Sequence, residues 1–211
     1  MTSAFIVVEG LEGAGKSSVI QAIGRFLSEQ GKSFICTREP GGTPMAEAIR
    51  ECVKQQWESE EVTEQTELLL MYAARSQLVH NRIKPALLAG KYVIGDRHDL
   101  SSVAYQGGGR QVDLSKLAQL KQITLGDFAP DFTLYLDIEP SLGLQRARGR
   151  GELDRIELAG LAFFERARAC YLAHVKEMPN AVTIDASQSM TEVENAVIKA
   201  LRHWFKTWSS Q

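Results

Sequence analysis

Cysteine is scarce in this 211-residue chain: Cys36, Cys52 and Cys170 are odd in number, widely spaced and without a C-x-x-C pair. A disulfide framework is thereby disfavoured, and a reduced, cytoplasmic protein with incidental thiols is expected. An excess of one charge is lacking too. The formal net charge of −2 gives no electrostatic case for nucleic acid or an anionic membrane as a partner. No apolar run approaches the roughly 18 residues of a membrane span. The N-terminus reads as a core strand, not as a charged and then apolar signal segment. Internal repeats, low-complexity tracts and linkers are absent. The expectation is one soluble domain over residues 1–211, whose 44% hydrophobic content suffices for a sizeable core.

What is present is a glycine-rich run, Gly10-Leu11-Glu12-Gly13-Ala14-Gly15-Lys16-Ser17, which fits G-x-x-x-x-G-K-[ST] in full. Ala4 to Val8 before it reads as a buried strand. Val19, Ile20, Ile23, Phe26 and Leu27 after it recur at helical spacing. In that context the glycines let backbone N–H groups turn inward around an anion, at the positive end of a helix dipole. Lys16 then reaches the β- and γ-phosphates of a nucleoside triphosphate, and the Ser17 hydroxyl can ligate its magnesium. An ordinary Gly-rich turn is the bland alternative, weakened by the match at every fixed position. The chain has no N-K-x-D tetrapeptide, so a guanine-reading switch gains little support.

Strands and helices alternate along the rest of the chain. Strands are expected at Ser33–Thr37, Tyr92–Gly95, Phe132–Leu136 and Ala181–Ile184. Helices are expected at Pro44 to Val53, with Thr43 as cap, and at Glu64 to Leu88, interrupted by Pro85. Others follow near Leu114 to Leu125, from Pro140, near Leu161 to Val175, and at the C-terminus. On the last helix Val193, Val197, Leu201, Trp204 and Trp208 share a face, which argues for core packing. Gly107-Gly108-Gly109-Arg110 reads as a stretch no regular element holds rigidly. The fold class expected is α/β: a five-stranded parallel sheet covered by helices on both faces, with sites at the carboxyl ends of the strands.

Those ends carry Glu9, Arg38 with Glu39, and Asp96 with Arg97. Asp96 is the best carboxylate for Mg²⁺, and Arg38 and Arg97 can form a fork for a second phosphate. Arg146, Arg148, Arg150 and Arg155 cluster around Gly149 and Gly151. Two glycines inside a helical pattern, each costing about 1 kcal/mol against alanine, suit a short lid over about residues 145–156 better than a rigid helix.

Several runs together resemble bacterial thymidylate kinases, P-loop nucleoside monophosphate kinases. They are the Gly10–Ser17 loop, Thr37-Arg38-Glu39-Pro40-Gly41-Gly42-Thr43, Tyr72-Ala73-Ala74-Arg75, Asp96-Arg97-His98, Ala104-Tyr105-Gln106-Gly107-Gly108-Gly109-Arg110 and Gly151-Glu152-Leu153-Asp154-Arg155. The resemblance implies transfer from ATP to dTMP with Mg²⁺ on the way to dTTP for DNA synthesis, and a homodimer. It assigns the dTMP phosphate to Arg38 and Arg97, the thymine edge to Arg75, Ser102 and Gln106, and the sugar's 2′ side to Tyr105. Glu9 and Glu39 would lie near the acceptor sugar and the metal. Glu12 marks the subtype whose phosphate loop lacks an arginine and whose lid supplies it, with Arg150 as best candidate and Arg146 beside the ATP. Where many members stack phenylalanine on thymine, this chain has Met71, on one helical face with Arg75, while Tyr72 points elsewhere.

Overall fold

Five short apolar runs pair into one all-parallel sheet in the computed structural model, which describes residues 3–149 and 154–208. They are β1 (Phe5–Gly10), β2 (Phe34–Arg38), β3 (Tyr92–Asp96), β4 (Phe132–Asp137) and β5 (Ala181–Asp185), in the order β2-β3-β1-β4-β5. β1 is buried along its whole length. Helices on both faces explain why Phe5 to Val8 are continuously apolar rather than alternating. The helices are α1 (Lys16–Glu29), α2 (Pro44–Lys54), α3 (Glu64–Leu78), α4 (Lys84–Leu88), α5 (Asp99–Ser102), α6 (Leu114–Thr124), α7 (Pro140–Arg148), α8 (Leu161–Glu177) and α9 (Met190–Trp208). The α/β class and all five strands agree with the sequence reading.

Local chemistry sets the element ends. The Thr43 hydroxyl accepts from the Ala46 N–H, and Pro44 takes the first turn of α2. The long helical pattern around Pro85 is divided: α3 stops at Leu78, a wide π-helical turn covers Val79–Ile83, and α4 follows. Pro85 has no N–H for the carbonyl four residues back, and the widened turn accommodates that gap. In α9, Val193, Val197 and Leu201 are buried, while Trp204 stacks on Phe132 of β4 with ring centroids 5.0 Å apart. The tryptophan face is therefore packing surface.

One expectation needs correcting. Residues 99–109 are not irregular: α5 runs into a π-helical segment, Val103–Gly109, that is largely buried. Its glycines serve close approach rather than looseness. A Cβ on Gly109 would stand 2.3 Å from the Phe163 ring, and one on Gly108 would stand 2.6 Å from the Cys170 Cβ. The segment lies flat against α8, and only hydrogen at these positions permits it.

β1 leads to β2 on one side of the sheet and its neighbour β4 leads to β5 on the other, so the two connections diverge and open a crevice at the carboxyl ends. The register pairs Val8 with Asp96 and Arg38 with Asp96. Glu9, Glu39 and Arg97 each lie one residue beyond those aligned positions, and arrive together at the crevice. If the triple glycine is a packing device, Gly109→Ala should destabilise by about 1–3 kcal/mol through overpacking. A flexible stretch would instead gain up to about 1 kcal/mol from alanine. Urea unfolding reads the sign directly.

Candidate active site

The crevice begins at the loop joining β1 to α1. Gly10, Gly13 and Gly15 have φ of 145°, 75° and 86°, backbone angles that turn successive N–H groups inward. Leu11 and Ala14 anchor the loop in the core. α7 presses on it so closely that a Cβ on Gly13 would meet the Gly143 carbonyl at 2.2 Å. Lys16 folds back across the loop, its Nζ donating to the carbonyls of Gly10 at 3.0 Å and Leu11 at 2.9 Å. Burial, and then repulsion from Arg97, bring the Lys16 ammonium down to about 8. Ser17 and Asp96 line an adjoining cleft with Arg38. Asp96 Oδ1 is buried there with no hydrogen-bond partner among the described residues.

Arg97 holds the centre of the crevice. It adopts φ 71°, left-handed backbone that an arginine rarely takes. Its Nη2 donates to Glu12 Oε1 at 2.6 Å and to the Tyr105 hydroxyl at 3.1 Å, and Tyr105 in turn donates to Glu12 Oε2 at 2.6 Å. Burial pushes the Glu12 carboxyl up, but Arg97 and Lys16 outweigh it and leave the group below the usual carboxylate range. The loop carboxylate thus ties the phosphate nest to Arg97. Beneath them, Glu9 accepts from the His98 N–H at 2.8 Å, the Ser101 hydroxyl at 2.6 Å and the Tyr171 hydroxyl at 2.9 Å. Burial still dominates, and the Glu9 carboxyl is raised.

A pocket opens beside Arg97, lined among others by Glu39, Met71, Arg75, Ser102, Tyr105 and Gln106. These come from the end of β2, from α3 and from the 99–109 segment. Arg75 is 2% exposed; its Nε donates to Glu39 at 2.6 Å and its Nη2 to Ser102 at 2.9 Å. Arg75 Nη1 lacks a hydrogen-bond partner among the described residues, with Asp99 at 3.5 Å. Burial opposes the Glu39 charge, yet Arg75 and His98 lower its carboxyl overall. Tyr72 turns away from the pocket as its helical position requires. Its hydroxyl donates to Asp99 at 2.9 Å and its ring backs the Arg75 guanidinium.

Other residues singled out from sequence lie apart. Arg38 is exposed and paired with Glu47 at 2.8 Å, so it forms no closed fork with Arg97. Arg146 donates to the Ala186 carbonyl at 3.0 Å, on the loop after β5. Arg155 is committed to the Val53 carbonyl at 2.9 Å and to Glu67 at 2.7 Å. Arg150 lies outside the described residues. Sequence reasoning missed Arg50, which lines the pocket and whose Nη1 donates to the Pro40 carbonyl at 2.8 Å. The signal was there: Arg50 shares a stripe with the buried Ala46 and Val53 of α2. It also missed Tyr171, which reads as core within the apolar stripe of α8.

Chemically, a polyphosphate nest and a buried pocket with its own cations and amide meet at Arg97. That arrangement can hold two phosphorylated ligands end to end. A family model described as thymidylate kinase matches residues 8–197. The chain is 57% identical to a thymidylate kinase of Vibrio parahaemolyticus over 205 residues, 97% of this chain and 98% of that one. It is 58% identical to one of Alteromonas mediterranea over 97% of this chain and 91% of the other, and 56% identical to one of Vibrio vulnificus over 96% of each.

The lysine makes a pH prediction. Lys16 is charged below about pH 8 and, in the free protein, loses its proton as pH rises through that value. A bound triphosphate favours the charged form, so binding above that pH has to take up a proton. Affinity for ATP should decline above about pH 8. Calorimetry there in two buffers of different ionisation enthalpy should show proton uptake, which Lys16→Met abolishes.

Proposed function

The chain belongs to the thymidylate kinase family, and on that premise we propose that it transfers the γ-phosphoryl group of ATP to dTMP, giving ADP and dTDP for dTTP synthesis. The observation that carries this reading is the meeting at Arg97 of two unlike sites, a glycine nest with its lysine and a buried pocket presenting Arg75 and Gln106. The first suits a triphosphate of any base. The second suits a nucleotide whose ring offers both acceptors and a donor.

In this reading the Gly10–Ser17 loop and Lys16 hold the ATP phosphates. Lys16 lets go of its own loop carbonyls and follows the charge that develops on the leaving β-phosphate. Arg97, with Arg38 swinging from Glu47, takes the dTMP phosphate. Arg75 donates to a thymine carbonyl, Ser102 and Gln106 complete the edge, and Met71 lies against the ring face. Tyr105 walls the 2′ side of the sugar, fixed by Glu12 and by the surrounding Phe163, Phe164 and Tyr171 rings. Glu9 and Glu39 support the acceptor side from beneath.

A hydroxyl at Ser17 and Asp96 Oδ1, which has no hydrogen-bond partner among the described residues, are hard oxygen donors of the kind Mg²⁺ takes. When bound there, Mg²⁺ neutralises charge on the transferring phosphates. A cation must also reach the γ-phosphoryl oxygens, because Glu12 occupies the loop position where an arginine would help. We assign that task to Arg150, which stands between Gly149 and Gly151 in the sequence. A homodimer and a cytoplasmic location belong to the same reading. α3 and α6 pack together and leave Leu69 and Leu114 exposed, and the three thiols are unpaired.

Two measurements test it. Coupled ADP formation with dTMP, dUMP, dCMP, dGMP, UMP and AMP as sole acceptors should rank dTMP first and dUMP second. A purine monophosphate in first place would end the reading. Arg97→Ala should raise KM for dTMP at least about tenfold while moving KM for ATP far less, because a charge-assisted contact is lost on one substrate only. Equal shifts for both would remove Arg97 from the acceptor site.

A further inference from the structure

Glu67, in α3, stands behind the acceptor pocket and is only 1% exposed. Its Oε1 accepts from Gln106 Nε2 at 2.8 Å and, more loosely, from Arg110 Nε at 3.4 Å. Its Oε2 accepts from Arg155 at 2.7 Å and from Arg110 at 3.2 Å. Burial works against the charge, but the Gln106 amide and the two guanidiniums outweigh it and hold the carboxyl below its usual value. At neutral pH the group is ionised, and an ionised carboxylate accepts hydrogen bonds without donating any.

A glutamine amide presents a donor on one side and an acceptor on the other, and a flip exchanges them. Opposite a carboxylate the choice is forced: Nε2 faces Glu67, and Oε1 remains as the acceptor that Gln106 offers to the pocket it lines with Arg75. The Arg75 guanidinium, which lines the same pocket, is the complementary donor, and its Nη1 is held 3.5 Å from Asp99 behind it. Thymine matches that pair with its C4 carbonyl and the adjacent N3–H. Cytosine inverts both, with an amino group at C4 and a bare ring nitrogen at N3.

We propose that Glu67 is the positioning residue for base selection, fixing the Gln106 amide so that the pocket accepts a pyrimidine with N3–H beside a C4 carbonyl and rejects a 4-aminopyrimidine. The inference rests on the dTMP reading above and deepens it. Arg110 and Arg155 contribute by keeping the carboxylate charged, which is why three donors from two distant parts of the chain meet at one buried group.

Calorimetric dissociation constants for dTMP and dCMP supply the test, taken on the unmodified chain, Glu67→Gln, Glu67→Asp and Gln106→Met. An amide at position 67 can donate or accept, so it no longer dictates the orientation of Gln106. The ratio of Kd for dCMP to Kd for dTMP should fall on the order of tenfold or more in Glu67→Gln. Glu67→Asp, still acceptor-only, should retain most of the ratio. The double variant Glu67→Gln/Gln106→Met should match Gln106→Met alone. A purely structural role for Glu67 would weaken both nucleotides alike and leave the ratio unchanged, which overturns the proposal. Should Glu67→Gln fail to fold by circular dichroism, an unchanged ratio in Gln106→Met overturns it equally. If the unmodified chain binds the two nucleotides alike, the dTMP reading itself is what fails.

Discussion

A buried carboxylate left without partners costs several kcal/mol, and this chain buries Glu9, Glu39, Glu67 and Asp99. Each is answered by arginines, hydroxyls or amides that the crevice also presents to ligands. Arg75 is shared among Glu39, Ser102 and Asp99, and Ser101 links Glu9 to Arg97. The guanidiniums are therefore oriented before any substrate arrives. Electrostatic stabilisation of this kind is effective because little reorganisation remains for the moment of reaction. The same pairing explains why the phosphate loop cannot be treated as an isolated module here. Through Glu12 it is bound to Arg97 and Tyr105, so the donor and acceptor sides share one network.

Sequence patterns that depend on local periodicity were easy to read. The five strands, the phosphate loop with its flanks, the Thr43 cap and the buried face of α9 follow from spacing and from single-residue stereochemistry. Residues at the strand ends were legible as candidates because topology alone sends them to one edge. Which partner each of them holds was not legible, because that depends on contacts between residues far apart in the chain. Arg38 and Arg97 look alike in sequence, yet one meets Glu47 at the surface and the other meets Glu12 inside. Arg155 resembles its neighbours in a basic run, yet Glu67, 88 positions earlier, claims it.

The triple glycine shows a different limit. Glycine signals freedom when nothing is known of its surroundings, and the same residue signals contact once a helix lies against it. No local rule separates the two cases. The distinction lies in Phe163 and Cys170, more than fifty positions away, whose rings and side chains occupy the space a Cβ would need.

The left-handed backbone at Arg97 carries a consequence for anyone improving this chain as a material. A non-glycine residue in that conformation costs roughly 1–2 kcal/mol, and glycine or asparagine would sit there more comfortably. A search for thermostable variants scored on melting temperature alone would therefore be drawn to this position early. It would exchange a guanidinium at the junction of the two sites for a relaxed turn, and reward the loss. Heat tolerance and turnover pull in opposite directions at residue 97, so any such campaign has to hold it fixed and look for its gains elsewhere.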